Sequence, residues 1–86
     1  RPLRLAFGGR PQRSDRSCVG LEVALNGQTI GRFLPFVGWR EYRLAVPPRL
    51  LRAGRNELTI MAAGRDGPAR FGIRYVRVAR EASAAE

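Results

Sequence analysis

The sequence predicts an all-β domain of antiparallel strands, either a sandwich or a barrel. Short segments with alternating apolar residues recur about every ten residues, glycine and proline separate them, and no segment has a long helical period. The 86 residues suffice for one small domain. A hydrophobic content of 44% against 27% charged residues supports a folded core despite a net charge of +9.

The first predicted strand covers residues 1–7, because Leu3, Leu5 and Phe7 alternate with other residues. We expect this strand to end at the glycine pair 8–9. Residues 10–17 are polar and irregular, which predicts a loop.

The next element is a β-hairpin with Asn26-Gly27 at its turn. Both residues tolerate positive φ, as a type I′ turn requires. A two-residue loop pairs Leu25 with Gln28 and places Val23 opposite Ile30 on the same face of the hairpin.

Three further strands are predicted over residues 39–46, 57–62 and 71–80. A single helical turn over residues 49–54 ends in a glycine suited to a left-handed cap. In the last strand the apolar positions shift from odd to even numbers, which predicts a bulge near Tyr75. Five to six strands therefore form one domain over residues 1–80, and we expect the tail 81–86 to fray.

The residues needed for catalysis are scarce. The chain has no histidine, its single cysteine, Cys18, cannot close an internal disulfide, and its seven carboxylates are scattered. No nucleophile elbow, phosphate loop or zinc spacing is present. We therefore expect no enzymatic activity, no cofactor and no metal ion. No apolar run approaches the roughly 20 residues that cross a bilayer, so we expect no membrane insertion by this segment.

All sixteen basic residues are arginine. A GC-rich coding sequence favours arginine together with alanine, glycine and proline, and this is the simpler explanation. The alternative is anion binding, because the guanidinium fork matches phosphate, carboxylate and sulfate. The net charge predicts attraction of polyanions at low salt in either case.

Trp39 is large enough to stack on a sugar ring or a nucleic-acid base. A tryptophan at the start of a strand more often plugs the end of a sandwich core, and we favour that interpretation. Arg40, Arg43, Arg74 and Arg77 mostly alternate with apolar residues on two strands. If those strands are neighbours, these arginines form a cationic face, which could equally be a solvated exterior.

Four motifs resemble those of the galactose-binding-like jelly-roll modules. They are the Asn-Gly hairpin over residues 21–27, the tryptophan strand over 38–47, the Leu-Leu-x-x-Gly-x-Asn-x-Leu corner over 50–58 and the stretch Arg70-Phe71-Gly72-Ile73. The pattern is most similar to the β-sandwich appended to bacterial membrane glycosyltransferases and related polysaccharide proteins.

The resemblance implies a noncatalytic, carbohydrate-binding-like accessory module that positions or recognises glycan beside a larger carbohydrate-active protein, often outside the cytoplasm. It leaves Trp39, Asp66 and Arg70 as ligand-binding candidates, although Asp66 and Arg70 could equally form a structural ion pair. A complete jelly roll has about eight strands. Either flanking sequence or a partner supplies the missing strands, or the sandwich is minimal.

Two other functions compete with glycan binding. One is a structural or protein-interaction module without a ligand, which would contact its parent protein through an uncovered sheet edge or the apolar stretch 33–39. The other is a small basic nucleic-acid-binding barrel. An exposed Trp39 beside a row of arginines would count against the glycan assignment.

Overall fold

A computed structural model describes residues 3–11, 18–36, 38–65 and 67–80. The predictions for residues 12–17, Asp66 and the tail 81–86 lie outside this part of the chain. The described residues form seven strands and one 3₁₀ turn: β1 (Leu3–Pro11), β2 (Cys18–Leu25), β3 (Gln28–Phe33), β4 (Arg40–Val46), the turn Pro48–Leu50, β5 (Leu58–Gly64), β6 (Gly67–Pro68) and β7 (Phe71–Arg80).

The strands form two antiparallel sheets that pack as a sandwich. One sheet has the order β4-β1-β7, and the other has the order β3-β2-β5-β6. The predicted fold class is therefore confirmed, and a sandwich rather than a barrel is formed. The described residues contain one strand more than predicted, because the two-residue strand β6 pairs with the end of β5.

The core lies between β1 and β4 of one sheet and β2 of the other. Its buried side chains come from alternate positions of these strands, as the sequence pattern predicts. They are Leu5, Phe7, Leu21, Val23, Leu25, Tyr42, Leu44 and Val46. Phe7 and Val23 are completely inaccessible to solvent and mark the centre of the two inner faces.

Strand β1 is longer than the sequence predicts. Instead of ending at the glycine pair it pairs with β7 as far as Pro11, which lies opposite Phe71. A Cβ atom on Gly8 would lie only 2.5 Å from the ring of Tyr75 on the neighbouring strand. The absence of a side chain at Gly8 thus allows the tyrosine ring to lie across β1. Strand β1 therefore continues through the glycine pair instead of ending there.

The hairpin is confirmed, but its predicted register is only half right. Leu25 pairs with Gln28 as expected, and the turn residues have positive φ, 51° at Asn26 and 85° at Gly27. Val23, however, lies opposite Gly31, because a bulge gives β3 one extra residue between the turn and that pair.

Two smaller predictions concern β7 and the helical turn. The bulge near Tyr75 is confirmed, since Gly8 and Gly9 of β1 pair with Tyr75 and Ile73 and leave Arg74 as the extra residue. The helical turn is a 3₁₀ turn over Pro48–Leu50, earlier than predicted, and the positive φ of 82° at Gly54 lies beyond its end.

Among the described residues, no helical segment has the length and apolar character needed to span a bilayer.

The sandwich is closed along one side and open along the other. The inward residues of β4 are at most 7% exposed. On β7, by contrast, Val76 and Val78 lie opposite the buried Phe7 and Leu5 but remain 44% and 58% exposed. The inner face of the three-stranded sheet is therefore uncovered at its β7 edge.

Candidate functional site

The outer face of the three-stranded sheet carries a cluster of charged side chains. On β1 this face carries Arg4, Ala6 and Gly8, the residues that alternate with the core positions. Strands β4 and β7 flank them in register, which gives three rows: Ala45-Arg4-Ala79, Arg43-Ala6-Arg77 and Glu41-Gly8-Tyr75. The rows place two arginines and a glutamate within reach of one another across β1.

Glu41 organises this face. One of its carboxylate oxygens, Oε1, accepts hydrogen bonds from the Tyr75 hydroxyl at 2.6 Å and from the Arg77 guanidinium. The other oxygen accepts a hydrogen bond from Nε of Arg43 at 2.6 Å. One carboxylate thus joins both edge strands of the sheet across β1.

These bonds favour the ionised form of Glu41. The hydrogen bond from Tyr75 and then that from Arg43 lower the pKa of Glu41 from its ordinary value of 4.5 to about 2. The same contact with Glu41 raises the pKa of the Tyr75 hydroxyl, because the phenol is the hydrogen-bond donor.

We expect Glu41 to make the domain more sensitive to acid. Because its pKa is lower in the folded state, the unfolded chain takes up the proton more readily as the pH falls below 4.5. The stabilisation is present above that pH and is lost as the pH falls towards 2. Urea unfolding midpoints measured between pH 7 and pH 2 should therefore decline more steeply for the wild type than for Glu41→Gln. Parallel curves would mean that Glu41 does not contribute to the acid response.

A depression of about 450 Å³ lies beside this cluster on the same face. Arg4, Arg43 and Arg77 line it together with Glu41, and Ala6 contributes small side-chain surface. Three guanidinium groups around a small-residue floor present hydrogen-bond donors of fixed geometry, which suits an anionic group such as a carboxylate, sulfate or phosphate.

Trp39 extends the cationic face beyond the glutamate cluster. Its side chain is 48% exposed, so the prediction that it plugs the core is wrong. The guanidinium carbon of Arg10 lies 5.0 Å from the centre of the indole ring, and that of Arg74 lies 5.6 Å away. The two cations are within the range of cation–π attraction.

Other aromatic rings fill the place predicted for Trp39. Phe7 stacks on Tyr42 with 5.1 Å between ring centres, and the rings of Phe33 and Phe71 meet Phe7 edge to face at 6.1 and 6.5 Å. The Tyr42 hydroxyl accepts a hydrogen bond from the backbone N–H of Phe36 at 2.9 Å, which closes this end of the core. The indole is left at the surface.

Of the four arginines predicted to form a cationic face, Arg74 lies beside Trp39 and the other three separate. Arg43 and Arg77 share the outer face, although their strands are separated by β1 rather than being neighbours. Arg40 lies apart, with its guanidinium 5.7 Å from the ring centre of Phe36. The candidate Arg70 is exposed in the segment before β7. Because Asp66 lies outside the described residues, the Asp66–Arg70 ion pair stays a prediction.

Sequence reasoning missed Arg4 and Arg10 as members of this face. A period of two that starts at Arg4 and runs through Ala6 and Gly8 reaches Arg10, so the alternation itself carried the signal. Arg10 was missed because the strand was expected to end at the glycines. Arg4 lies inside the predicted strand and was missed because the neighbours of that strand were not predicted.

A larger depression, about 970 Å³, lies over the four-stranded sheet and is mostly apolar. The two charged residues among its described lining, Glu22 and Arg32, face each other at 3.4 Å. Thr29 also donates a hydrogen bond of 2.6 Å to Glu22, which lowers the pKa of that carboxyl. The described lining of this depression therefore offers little charge for binding an ion, in contrast to the depression beside Glu41.

Within the described ranges, no three histidine, cysteine, aspartate or glutamate side chains form a group that could hold a metal ion. Comparison of the chain with protein-family models, with curated proteins and with solved structures finds no match.

Proposed function

We propose that the domain is a noncatalytic module that binds anionic polysaccharide on the outer face of its three-stranded sheet. The observation that carries this proposal is the half-exposed Trp39 with the guanidinium groups of Arg10 and Arg74 at 5.0 and 5.6 Å from its ring centre. The resemblance to jelly-roll modules supports an accessory role beside a larger carbohydrate-active protein, outside the cytoplasm.

The arginines favour an acidic ligand over a neutral one. A neutral sugar stacks on an aromatic ring through its apolar face and needs that ring free. The exposed Trp39 beside two arginines is the feature expected to count against glycan binding. It does so for a neutral sugar, because two cations compete for the ring that such a sugar needs free. A uronic acid or a sulfated sugar would instead place its anion on a guanidinium fork and its ring carbons against the exposed part of the indole.

The charge balance of the face supports the same choice. Arg10, Arg43, Arg74 and Arg77 lie on this side or border it, and Glu41 is bonded to two of these four, Arg43 and Arg77. Since Glu41 stays ionised down to about pH 2, it holds Arg43 and Arg77 in place without neutralising the whole surface. Repeated anions along a polysaccharide could therefore contact several guanidinium groups at once.

Intrinsic fluorescence tests this proposal directly, because Trp39 is the single tryptophan of the chain. A hexamer of galacturonic acid, titrated at physiological salt, should change the emission with a saturable curve. A hexamer of galactose with the same linkage should not. If both sugars or neither sugar changed the emission, preference for an acidic glycan would be ruled out.

A pair of charge variants separates a site from general attraction. Arg74→Gln and Arg55→Gln each remove one positive charge, but Arg55 is exposed in the segment before β5. Loss of one charge-assisted contact should weaken binding of the acidic hexamer by about tenfold in Arg74→Gln. Arg55→Gln should bind like the wild type. Equal losses would indicate attraction by net charge alone.

Nucleic acid is the second candidate ligand, and one feature favours it. Arginines share a single sheet face with the exposed Trp39 and the half-buried Tyr75, as arginines and aromatic rings do in many proteins that bind single strands. Base stacking, however, needs a free ring, and Tyr75 is bonded to Glu41 with the Arg77 guanidinium 5.0 Å from its ring centre. A 12-nucleotide single strand should therefore bind only at low salt. Tight binding at physiological salt would reverse the order of the two candidates.

A further inference from the structure

The edge strand β7 offers a second surface, which borders the outer face of the sheet and shares Arg77 with it. Among the described strands β7 pairs with β1 alone, so its ten residues leave one row of backbone N–H and C=O groups without a sheet partner. Proteins usually protect such an edge by making it short, charged or bulged. The bulge of β7 lies at Arg74, and the following residues pair regularly with β1 as far as Arg80.

The two sides of this edge differ in chemistry. Towards the interior of the sandwich, Val76 and Val78 are 44% and 58% exposed, and Ile73 beyond the bulge is 44% exposed. On the opposite side, Arg77 points away from the core beside Tyr75. A strand added beside residues 75–78 of β7 would therefore meet valines on one side and a cation on the other, whereas Arg80 at the end of β7 lies on the same side as the valines.

We propose that β7 binds an extended acidic segment of a partner polypeptide, which adds a fourth strand to the three-stranded sheet. Apolar side chains at alternate positions of that segment would cover Val76 and Val78, and carboxylates at the positions between them would face Arg77. The added strand would supply the missing hydrogen bonds of the edge and cover the open side of the sandwich.

Charge excludes a second copy of this chain as the preferred occupant. Two β7 strands side by side would bring Arg74, Arg77 and Arg80 of each copy close to those of the other. The net charge of +9 on each chain adds repulsion. An acidic strand would instead be attracted both by the arginines of β7 and by the net positive charge of the chain.

Backbone amide shifts locate the binding site. The probe is a capped eight-residue peptide that alternates valine and glutamate. The control peptide has four valines followed by four glutamates, with the same composition and charge. We expect the alternating peptide to shift the amide resonances of β7 with a saturable curve, and the control peptide to bind at least about tenfold more weakly. Equal binding of the two peptides would overturn the proposal, as would shifts confined to the Trp39 face.

Two glutamate variants complete the test. Val78→Glu places a negative charge where the peptide would lie and should weaken binding of the alternating peptide by about tenfold or more. Met61→Glu makes the same change in charge at a side chain that is 51% exposed on the other sheet, and it should bind like the wild type. Equal effects of the two variants would contradict a site on β7.

Three further measurements separate binding at β7 from loss of folding, from binding at the glycan site and from self-association. If Val78→Glu lowers the melting temperature, Val78→Thr keeps the shape of the side chain and should still weaken binding. Binding of the galacturonic acid hexamer should persist in Val78→Glu and Val78→Thr, so failure of one site is distinguishable from failure of the other. Self-association of the free domain that Val78→Glu abolishes would show that a second copy occupies the edge, and would overturn the choice of an acidic partner.

Discussion

Replacing Phe7 with alanine should lower the free energy of unfolding by about 3–5 kcal/mol. Phe7 is completely buried and contacts the rings of Phe33, Tyr42 and Phe71. Removing its ring leaves a cavity at the place where β1, β3, β4 and β7 meet, and the three remaining aromatic side chains cannot collapse into it without moving their strands. A domain of this size is stable by only about 4–13 kcal/mol, so the loss is a large share of its stability.

Urea unfolding followed by circular dichroism measures this effect. Leu34→Ala is the matched control, because Leu34 is 83% exposed and its truncation should change stability by less than about 0.5 kcal/mol. Similar losses in the two variants would mean that the aromatic cluster does not hold the sandwich together.

The inner face of the fold was predictable from the sequence because burial imposes a period of two. Leu5 and Phe7 of β1, like Leu21, Val23 and Leu25 of β2, are buried where their alternation predicts. The Asn-Gly turn was predictable for a second local reason, since few residues adopt positive φ. The apolar alternation and the Asn-Gly turn are both local patterns, each contained in a few consecutive residues, so they can be read without knowing the tertiary structure.

Register and exposure depend on contacts between distant residues. The bulge in β3 brings Gly31 opposite Val23, and a Cβ atom on Gly31 would lie 3.0 Å from a methyl carbon of Leu44 on the other sheet. The sequence around the hairpin does not predict this contact between Gly31 and Leu44, because Leu44 belongs to a different strand on the other sheet. Local patterns therefore predicted the existence of the hairpin but not where its pairing slips.

Arg10, one member of the candidate site, was missed for the same physical reason. Whether β1 stops at its glycines or continues to Arg10 depends on the ring of Tyr75, which is far along the chain and lies across Gly8. Once β1 continues, Arg10 reaches the indole of Trp39 and the cationic face extends beyond the glutamate cluster. Exposure of the tryptophan also depends on Phe33, Tyr42 and Phe71, which fill the end of the core.

Asn26→Ala should lower the free energy of unfolding by about 2–4 kcal/mol. The side-chain amide of Asn26 donates to the Leu50 carbonyl at 2.7 Å and to Oδ1 of Asn56 at 2.9 Å. Its own Oδ1 accepts a hydrogen bond from the backbone N–H of Glu57 at 2.9 Å. The turn of the hairpin is thereby fastened to the segment that leads into β5, and alanine would in addition be strained at a φ of 51°.

Asn26→Gly separates the two causes, because glycine adopts positive φ without strain but cannot make the side-chain bonds. We expect about 1–3 kcal/mol of destabilisation to remain in Asn26→Gly, measured by urea unfolding. A glycine variant as stable as the wild type would show that the bonds contribute nothing and that strain accounts for the alanine result.

A double-mutant cycle then tests whether the two motif asparagines act as one unit. Asn56 accepts a hydrogen bond from the Arg52 N–H at 2.8 Å and donates to the Arg52 carbonyl at 3.1 Å, so it holds its own loop while it contacts Asn26. Asn26→Gly and Asn56→Ala should therefore be less than additive, with a coupling of about 1 kcal/mol. Strict additivity would mean that the hairpin turn and the corner before β5 are stabilised independently, although their side chains touch.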